Sequence, residues 1–203
     1  MNYLAFDTSA SSLTVAVGGN KKVAKCLEEC FHSHSVVLMQ EIENCLEDSQ
    51  TELKEIDVFA CSIGPGSFTG IRIGVSTAKA FAYALSKKVL GVTSFESLAY
   101  NIVDKVKKLT VIDARHDNFY VCGFDENNEV IVDPCFKTKQ EIIDLYRDFL
   151  VVSDVKIDGI KCIEGDLSKG FIKAVEEKLH LASEDRESVV PLYVKKSQAE
   201  EEL

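Results

Sequence analysis

The chain has 203 residues, 46% of them apolar and 28% charged, with a formal net charge of −10. That length allows one large domain or two small ones, and that much apolar material excludes a disordered chain. The acidity, with Lys and Arg scattered rather than clustered, excludes a groove that follows a phosphate backbone, so nucleic acid is expected only by way of a basic partner.

In chain order, Tyr3 to Phe6 reads as an apolar strand, Asp7-Thr8-Ser9-Ala10-Ser11-Ser12 as a polar turn, and Leu13, Val15 and Val17 as an alternating second strand. Val23 to Glu29 adds a third strand after Gly18-Gly19-Asn20. A helix from about Ser35 places Leu38, Met39, Ile42, Cys45 and Leu46 on one face. Val36 and Val37 project away from the stripe of Leu38, Ile42 and Cys45, as a docking surface would or as helix-entry packing would. Val58 to Ile63 is a buried strand that runs into the stretch Ser62–Gly74, SIGPGSFTGIRIG, and this opens a helix over about Thr69 to Ser86. Val89 to Val92 is a short strand, and Thr93-x-x-Glu96 is a capping box for a helix carrying Phe95, Leu98, Ala99 and Ile102.

The pattern then begins again. Tyr3–Thr8 laid on Leu109–Ala114 aligns Asp7 with Asp113, each after an apolar strand and before a turn and an alternating strand, the second marked by Phe119 and Val121. Glu129 to Val132, a capping box Thr138-x-x-Glu141 with a helix Ile142 to Leu150, a strand Lys161 to Glu164 and a helix near Lys169 to Leu179 complete the second half. Similarity at one long period is the mark of a duplicated unit. The expected fold is therefore α/β, with two βββαβα lobes in the plan of the actin, sugar-kinase and Hsp70 superfamily. The first lobe covers 1–105 and the second 106–203, with the C-terminal segment free to pack back on the first.

The glycine-rich stretch lacks the Gly-Lys of a P-loop, and it matches GxGxxG only at Gly64 and Gly66, with Thr69 where the third glycine belongs. Bare amides at a helix N-terminus still hold an anion, so Asp7, Thr8, Gly64 and Gly66 are the candidate nucleotide or phosphate contacts. On the following helix Gly70, Gly74, Ala78 and Ala82 recur every fourth residue, which admits another backbone, either of the same subunit or of a partner. Its polar face is Arg72, Ser76, Lys79, Tyr83 and Ser86.

Catalytic groups are sparse. His32 and His34 are two apart, unlike a helical HxxxH pair, and His116 and His180 stand alone. Asp7 and Asp113 either face one cleft as acid, base or Mg²⁺ ligands or each caps its own hairpin turn. Seven cysteines without a CxxC spacing read as free thiols of a reducing cytosol. The start, MNYLAFDT, has no basic leader, and no apolar run of ~18 residues follows, so a cytoplasmic protein without membrane contact is expected.

Ala5-Phe6-Asp7-Thr8-Ser9, the Ser62–Gly74 stretch, Thr93–Ala99, Ile112-Asp-Ala-Arg115 with Tyr120, and Pro191-Leu-Tyr-Val194 together resemble the TsaB (YeaZ) family. The resemblance implies a noncatalytic subunit in the synthesis of N6-threonylcarbamoyladenosine in tRNA. Its partners would be a TsaD-like transferase, which it activates, and a TsaE-like ATPase, with tRNA bound only indirectly. It implies no cofactor or metal in the chain itself, a nucleotide only at the heteromeric interface, and a homodimer in isolation. The implied partner surface is Val36, Val37, Met39 and Gln40 with Phe68, Thr69, Gly70, Ile71, Arg72, Gly74, Val75 and Ala78, the glycines admitting the partner's helices. The alternative is an ATP-dependent or metal-dependent enzyme of the same superfamily, of the glycoprotease-like peptidase kind.

Overall fold

A computed structural model describes residues 1–27 and 34–195. The first half forms β1 (Tyr3–Asp7), β2 (Leu13–Gly18), β3 (Val23–Leu27), α1 (His34–Ser49), β4 (Val58–Gly64), α2 (Phe68–Leu85), β5 (Lys88–Thr93) and α3 (Ser94–Ala99). Its sheet runs β3-β2-β1-β4-β5, with β1 antiparallel to β2 and parallel to β4. The second half forms β6 (Lys108–Asp113), β7 (Asn118–Phe124), β8 (Val130–Thr138), α4 (Lys139–Leu145), β9 (Leu150–Ser153), β10 (Cys162–Glu164) and α5 (Leu167–Lys178). Its sheet repeats the order as β8-β7-β6-β9-β10, with β6 antiparallel to β7 and parallel to β9. Equal order and equal strand directions are what duplication predicts.

Both faces of each sheet are covered, so β1 is apolar at consecutive rather than alternate positions. On one face of the first sheet, Leu4, Phe6, Val15 and Phe59 pack under Leu38, Ile42 and Cys45 of α1 and Ile71, Val75, Ala78 and Ala82 of α2. The other face, with Tyr3, Ala5, Val58 and Val92, is covered by Phe171, Ala174 and Val175 of α5. In return, α3 lays Phe95, Leu98 and Ala99 on Ile112, Phe124 and Val152 of the second sheet. A division at 105/106 thus separates the two sheets, while α3 and α5 are exchanged across it. Val189 joins the first core, and Leu192 and Val194 pack with α3 against the second sheet.

Two expected elements differ, and one strand is added. The helix expected over Ile142 to Leu150 ends at Leu145, and Leu150–Ser153 forms β9. The capping box fixes the start of α4, with the Thr138 hydroxyl accepting from the Glu141 amide at 3.3 Å. Its end comes where Tyr146 leaves helical geometry and Phe149 packs edge-on against it at 5.8 Å, releasing a β-branched run that pairs in parallel with β6. The third strand of the second lobe runs to Thr138 rather than Val132, on the sheet edge, where Pro134 costs no ladder bond. Residues 154–161 join β9 to β10 without a helix, in the place that α2 occupies between β4 and β5. The end of the expected third strand at Glu28 and Glu29, and His32, lie outside the described residues.

Candidate docking surface

The glycine-rich stretch is where β4 passes into α2. Gly64 has φ +92°, a left-handed value that favours glycine, and Ser67 caps α2 by accepting the Gly70 amide at 3.2 Å. The turn between β1 and β2 lies directly against this junction. The Ser67 amide donates to the Ser9 carbonyl at 2.7 Å, and the Thr8 hydroxyl donates to the Gly70 carbonyl at 2.7 Å. A Cβ added at Gly66 would stand 2.4 Å from the Ser9 oxygen, one at Gly70 1.9 Å from the Thr8 oxygen, and one at Gly74 2.7 Å from the Thr8 hydroxyl. The small-residue stripe therefore faces the same chain. Gly70, Ile71, Gly74, Val75 and Ala78 are buried in the monomer, which corrects the reading of this stripe as a bed for a partner's helix. The missing side chains make room for Thr8 and Ser9.

The same packing commits Asp7 and Thr8 among the candidate phosphate contacts, with Gly64 buried and Gly66 on the surface. Asp7 and Thr8 are buried, and Oδ1 of Asp7 accepts both the Ser9 amide at 2.7 Å and the Ser9 hydroxyl at 2.6 Å. That hydroxyl also lies 3.0 Å from the Ser62 and 3.3 Å from the Ser94 hydroxyls. Burial raises the Asp7 carboxyl above its usual range, against the lowering effect of these hydrogen bonds. Asp113 is exposed, and its Oδ1 accepts the Arg115 amide at 2.8 Å. Of the two roles open to the aspartates, the geometry takes turn capping, since each holds the amide two residues on. His34 begins α1 with its ring buried, and its Nε2 has no hydrogen-bond partner. Desolvation lowers its pKa, against the pull of the nearby Asp7. Among the described residues no three His, Cys, Asp or Glu side chains converge on a point that would hold a metal.

The outer faces of α1 and α2 are different in kind. Rotation of 100° per residue carries Met39 off the buried stripe of Leu38, Ile42 and Cys45, which corrects its place on the expected core face. Val36 is 76% exposed, Met39 53% and Phe68 45%, with Gln40, Thr69 and Arg72 also on the surface and Val37 half-buried against the core. The Arg72 guanidinium carbon sits 3.8 Å from the Phe68 ring centre, and its Nε donates to the Tyr193 hydroxyl at 2.9 Å. Phe68 and Tyr193 are themselves 5.2 Å apart. Stacking and hydrogen bond together fix the guanidinium of this exposed side chain. Tyr193 was not among the expected surface residues; its signal was the Pro191-Leu-Tyr-Val194 motif. The Leu192 amide, donating to the Ile63 carbonyl at 2.8 Å, brings that segment over α2.

Two five-stranded sheets with one order and exchanged helices define a two-lobed α/β protein of the actin-like plan. YeaZ from Pseudomonas aeruginosa has this fold, with a TM-score of 0.78 over 95% of this chain and 99% of that one at 19% identity. The family model for TsaD, described as tRNA N6-adenosine threonylcarbamoyltransferase, matches residues 28–161. Proteins named tRNA threonylcarbamoyladenosine biosynthesis protein TsaB are similar in sequence. The one from Escherichia coli K12 is 32% identical over 132 residues, 63% of this chain and 57% of that protein. The one from Bacillus subtilis is 34% identical over 102 residues, 50% of this chain and 44% of that protein. The chain thus spans about half the length of these relatives. It belongs to the TsaB (YeaZ) family, within the wider family that the TsaD model describes.

Proposed function

We propose that the chain is a noncatalytic docking subunit in the synthesis of N6-threonylcarbamoyladenosine in tRNA, binding and supporting a TsaD-like transferase that a TsaE-like ATPase joins. The observation that carries this reading is the outer face of α1 and α2, where Val36, Met39 and Phe68 stand exposed around a stacked Arg72. Aromatic, Met and Arg anchors of this kind concentrate binding energy at protein interfaces. The noncatalytic role is supported by Asp7, Thr8 and Ser9, the groups that would meet a phosphate in this fold, being spent on the chain's own loop. A net charge of −10 favours tRNA held by the partner rather than by this chain. The chain itself carries no cofactor, the shared interface is the one place open to a nucleotide, and without the transferase two copies cover the same apolar face. The assembly works in the cytoplasm; among the described residues no helix is long and apolar enough to cross a membrane.

The test is affinity capture of the tagged chain from its own cell, with mass spectrometry of the eluate. A TsaD-like transferase is expected at near-equal amount, and its recovery should fall at least about tenfold with Met39→Asp plus Phe68→Asp, both at exposed positions. Equal recovery with the double variant, or no such transferase with the wild type, overturns the reading.

A further inference from the structure

Between α1, the one-turn 3₁₀ helix Leu53–Glu55 and the second half of α2 lies an open groove of about 780 Å³. Ile42, Leu46, Leu53 and Phe81 make its apolar floor, continuous with the core, and Phe81 is fixed by stacking on Phe59 with ring centres 5.3 Å apart. One end opens between the exposed Val36 and Met39, and the rim is Glu43, Glu47 and Glu52. Glu52 is paired with Lys54 at 2.7 Å, but Glu43 and Glu47 have no cation among the described residues, and α1 contains neither Lys nor Arg. Two carboxylates one helical turn apart repel one another, so this rim is left mildly unfavourable in the free chain.

We infer that the groove receives an amphipathic helix of the partner, its apolar side on Ile42, Leu46 and Phe81 and a Lys or Arg set against Glu43 and Glu47. The inference rests on the docking reading and specifies the chemistry of the partner element at that face. From Val36 to Glu47 the groove follows α1 for ~17 Å, room for about three turns of helix. Such an element pairs cations with the acidic rim as well as burying apolar side chains, and the two terms are separable by salt. A second copy laid α1 against α1 would instead bring acid to acid.

The co-purified transferase is titrated with wild type, with Glu43→Gln plus Glu47→Gln, and with Glu43→Lys plus Glu47→Lys, at about 50 mM and about 500 mM salt. At low salt the neutral pair should weaken binding about tenfold and the reversed pair about a hundredfold, with the three curves converging at high salt. Tight binding that ignores all four substitutions overturns the inference and leaves the docking reading standing; failure of the wild type to bind removes both. Sedimentation of the chain alone completes the test. A self-dimer that the reversed charges break and the neutral pair also weakens would mean that a second copy's own cations fill the groove, and would also overturn the inference, whereas one that the neutral pair tightens supports it.

Discussion

Gly70→Ala separates the two uses of the small-residue stripe. On a helix whose glycine face met only solvent or an absent partner, Ala would be the better residue by ~1 kcal/mol. Here the new Cβ would stand 1.9 Å from the Thr8 carbonyl oxygen, with the Thr8 carbonyl carbon at 3.0 Å and Ser67 Cβ at 3.2 Å. To bring the oxygen out to 3.0 Å, the β1–β2 turn must retreat by 1.1 Å. That movement strains two bonds, from Thr8 Oγ1 to the Gly70 carbonyl and from the Ser67 amide to the Ser9 carbonyl, both 2.7 Å. Overpacking costs ~1–3 kcal/mol and each lost hydrogen bond ~0.5–1.5 kcal/mol, so a net loss of about 1–5 kcal/mol remains after the gain in propensity.

Urea unfolding followed by circular dichroism measures this loss as a fall in midpoint of about 0.5–2.5 M at unchanged slope. Gly74→Ala is the graded control, because its Cβ meets the Thr8 hydroxyl at 2.7 Å, a side-chain atom. Its cost should be smaller, and Thr8→Ala should relieve part of it in the double variant. A Gly70→Ala protein as stable as wild type would refute the internal role of the stripe. By the same reasoning Gly74→Leu damages the fold itself, so any loss of partner binding in it says nothing about the interface.

Asp154→Asn should raise stability at pH 8 by about 1–2 kcal/mol and lose that advantage by pH 4, as read from urea midpoints. Burial pushes the Asp154 carboxyl up to about 6 from an ordinary 3.8, so the native state holds an extra proton in that window and loses stability as pH rises through it. His34→Gln should act in the opposite sense: the buried ring has a lowered pKa, so the unfolded chain binds more protons as pH falls below about 6.5, and the variant should soften that acid destabilisation. Thr93→Ala removes the hydroxyl that accepts the Glu96 amide at 3.1 Å and should cost about 1 kcal/mol, again by urea unfolding. Tyr193→Phe frees the Arg72 guanidinium, bonded at 2.9 Å, and should weaken transferase binding severalfold with the urea midpoint unchanged.

The succession of elements in the first half and the repeat of its opening hairpin were legible because they depend on local pattern. Apolar runs ending in Asp7 and Asp113, each followed by a turn and a second strand, announce the same hairpin twice, and capping boxes at Thr93 and Thr138 fix the starts of α3 and α4. What the sequence left open was which face of a helix meets which neighbour. A period of four small residues in α2 says that a backbone comes close, and only the fold says that it is that of Thr8. The exchange of α3 and α5 and the Tyr193 clamp on Arg72 join positions far apart in the chain, which no local periodicity records. Helix ends failed where tertiary pairing won, as when β6 claimed Leu150–Ser153 from a run that otherwise continues α4.

The two lobes also differ in a way that bears on where a partner sits. In the first, α1 and α2 lie side by side on one face of the sheet, and two parallel helices cannot bury all their apolar residues on a sheet between them; Val36, Met39 and Phe68 are left over. In the second lobe the counterpart of α2 is replaced by the loop 154–161, and that face is covered by Ile142 of α4 together with Val155, Ile157 and Ile160 of the loop. A paired-helix surface therefore exists on one lobe only. Among the described residues only the first lobe has two helices on one face of its sheet, so on the docking reading grafting a helix between β9 and β10 should create no second transferase site unless its outer face also carries the Val36, Met39 and Phe68 chemistry. Two-to-one stoichiometry from a graft with a wholly polar outer face, measured by light scattering, would show that the helix pair alone suffices and that those side chains do not direct the docking.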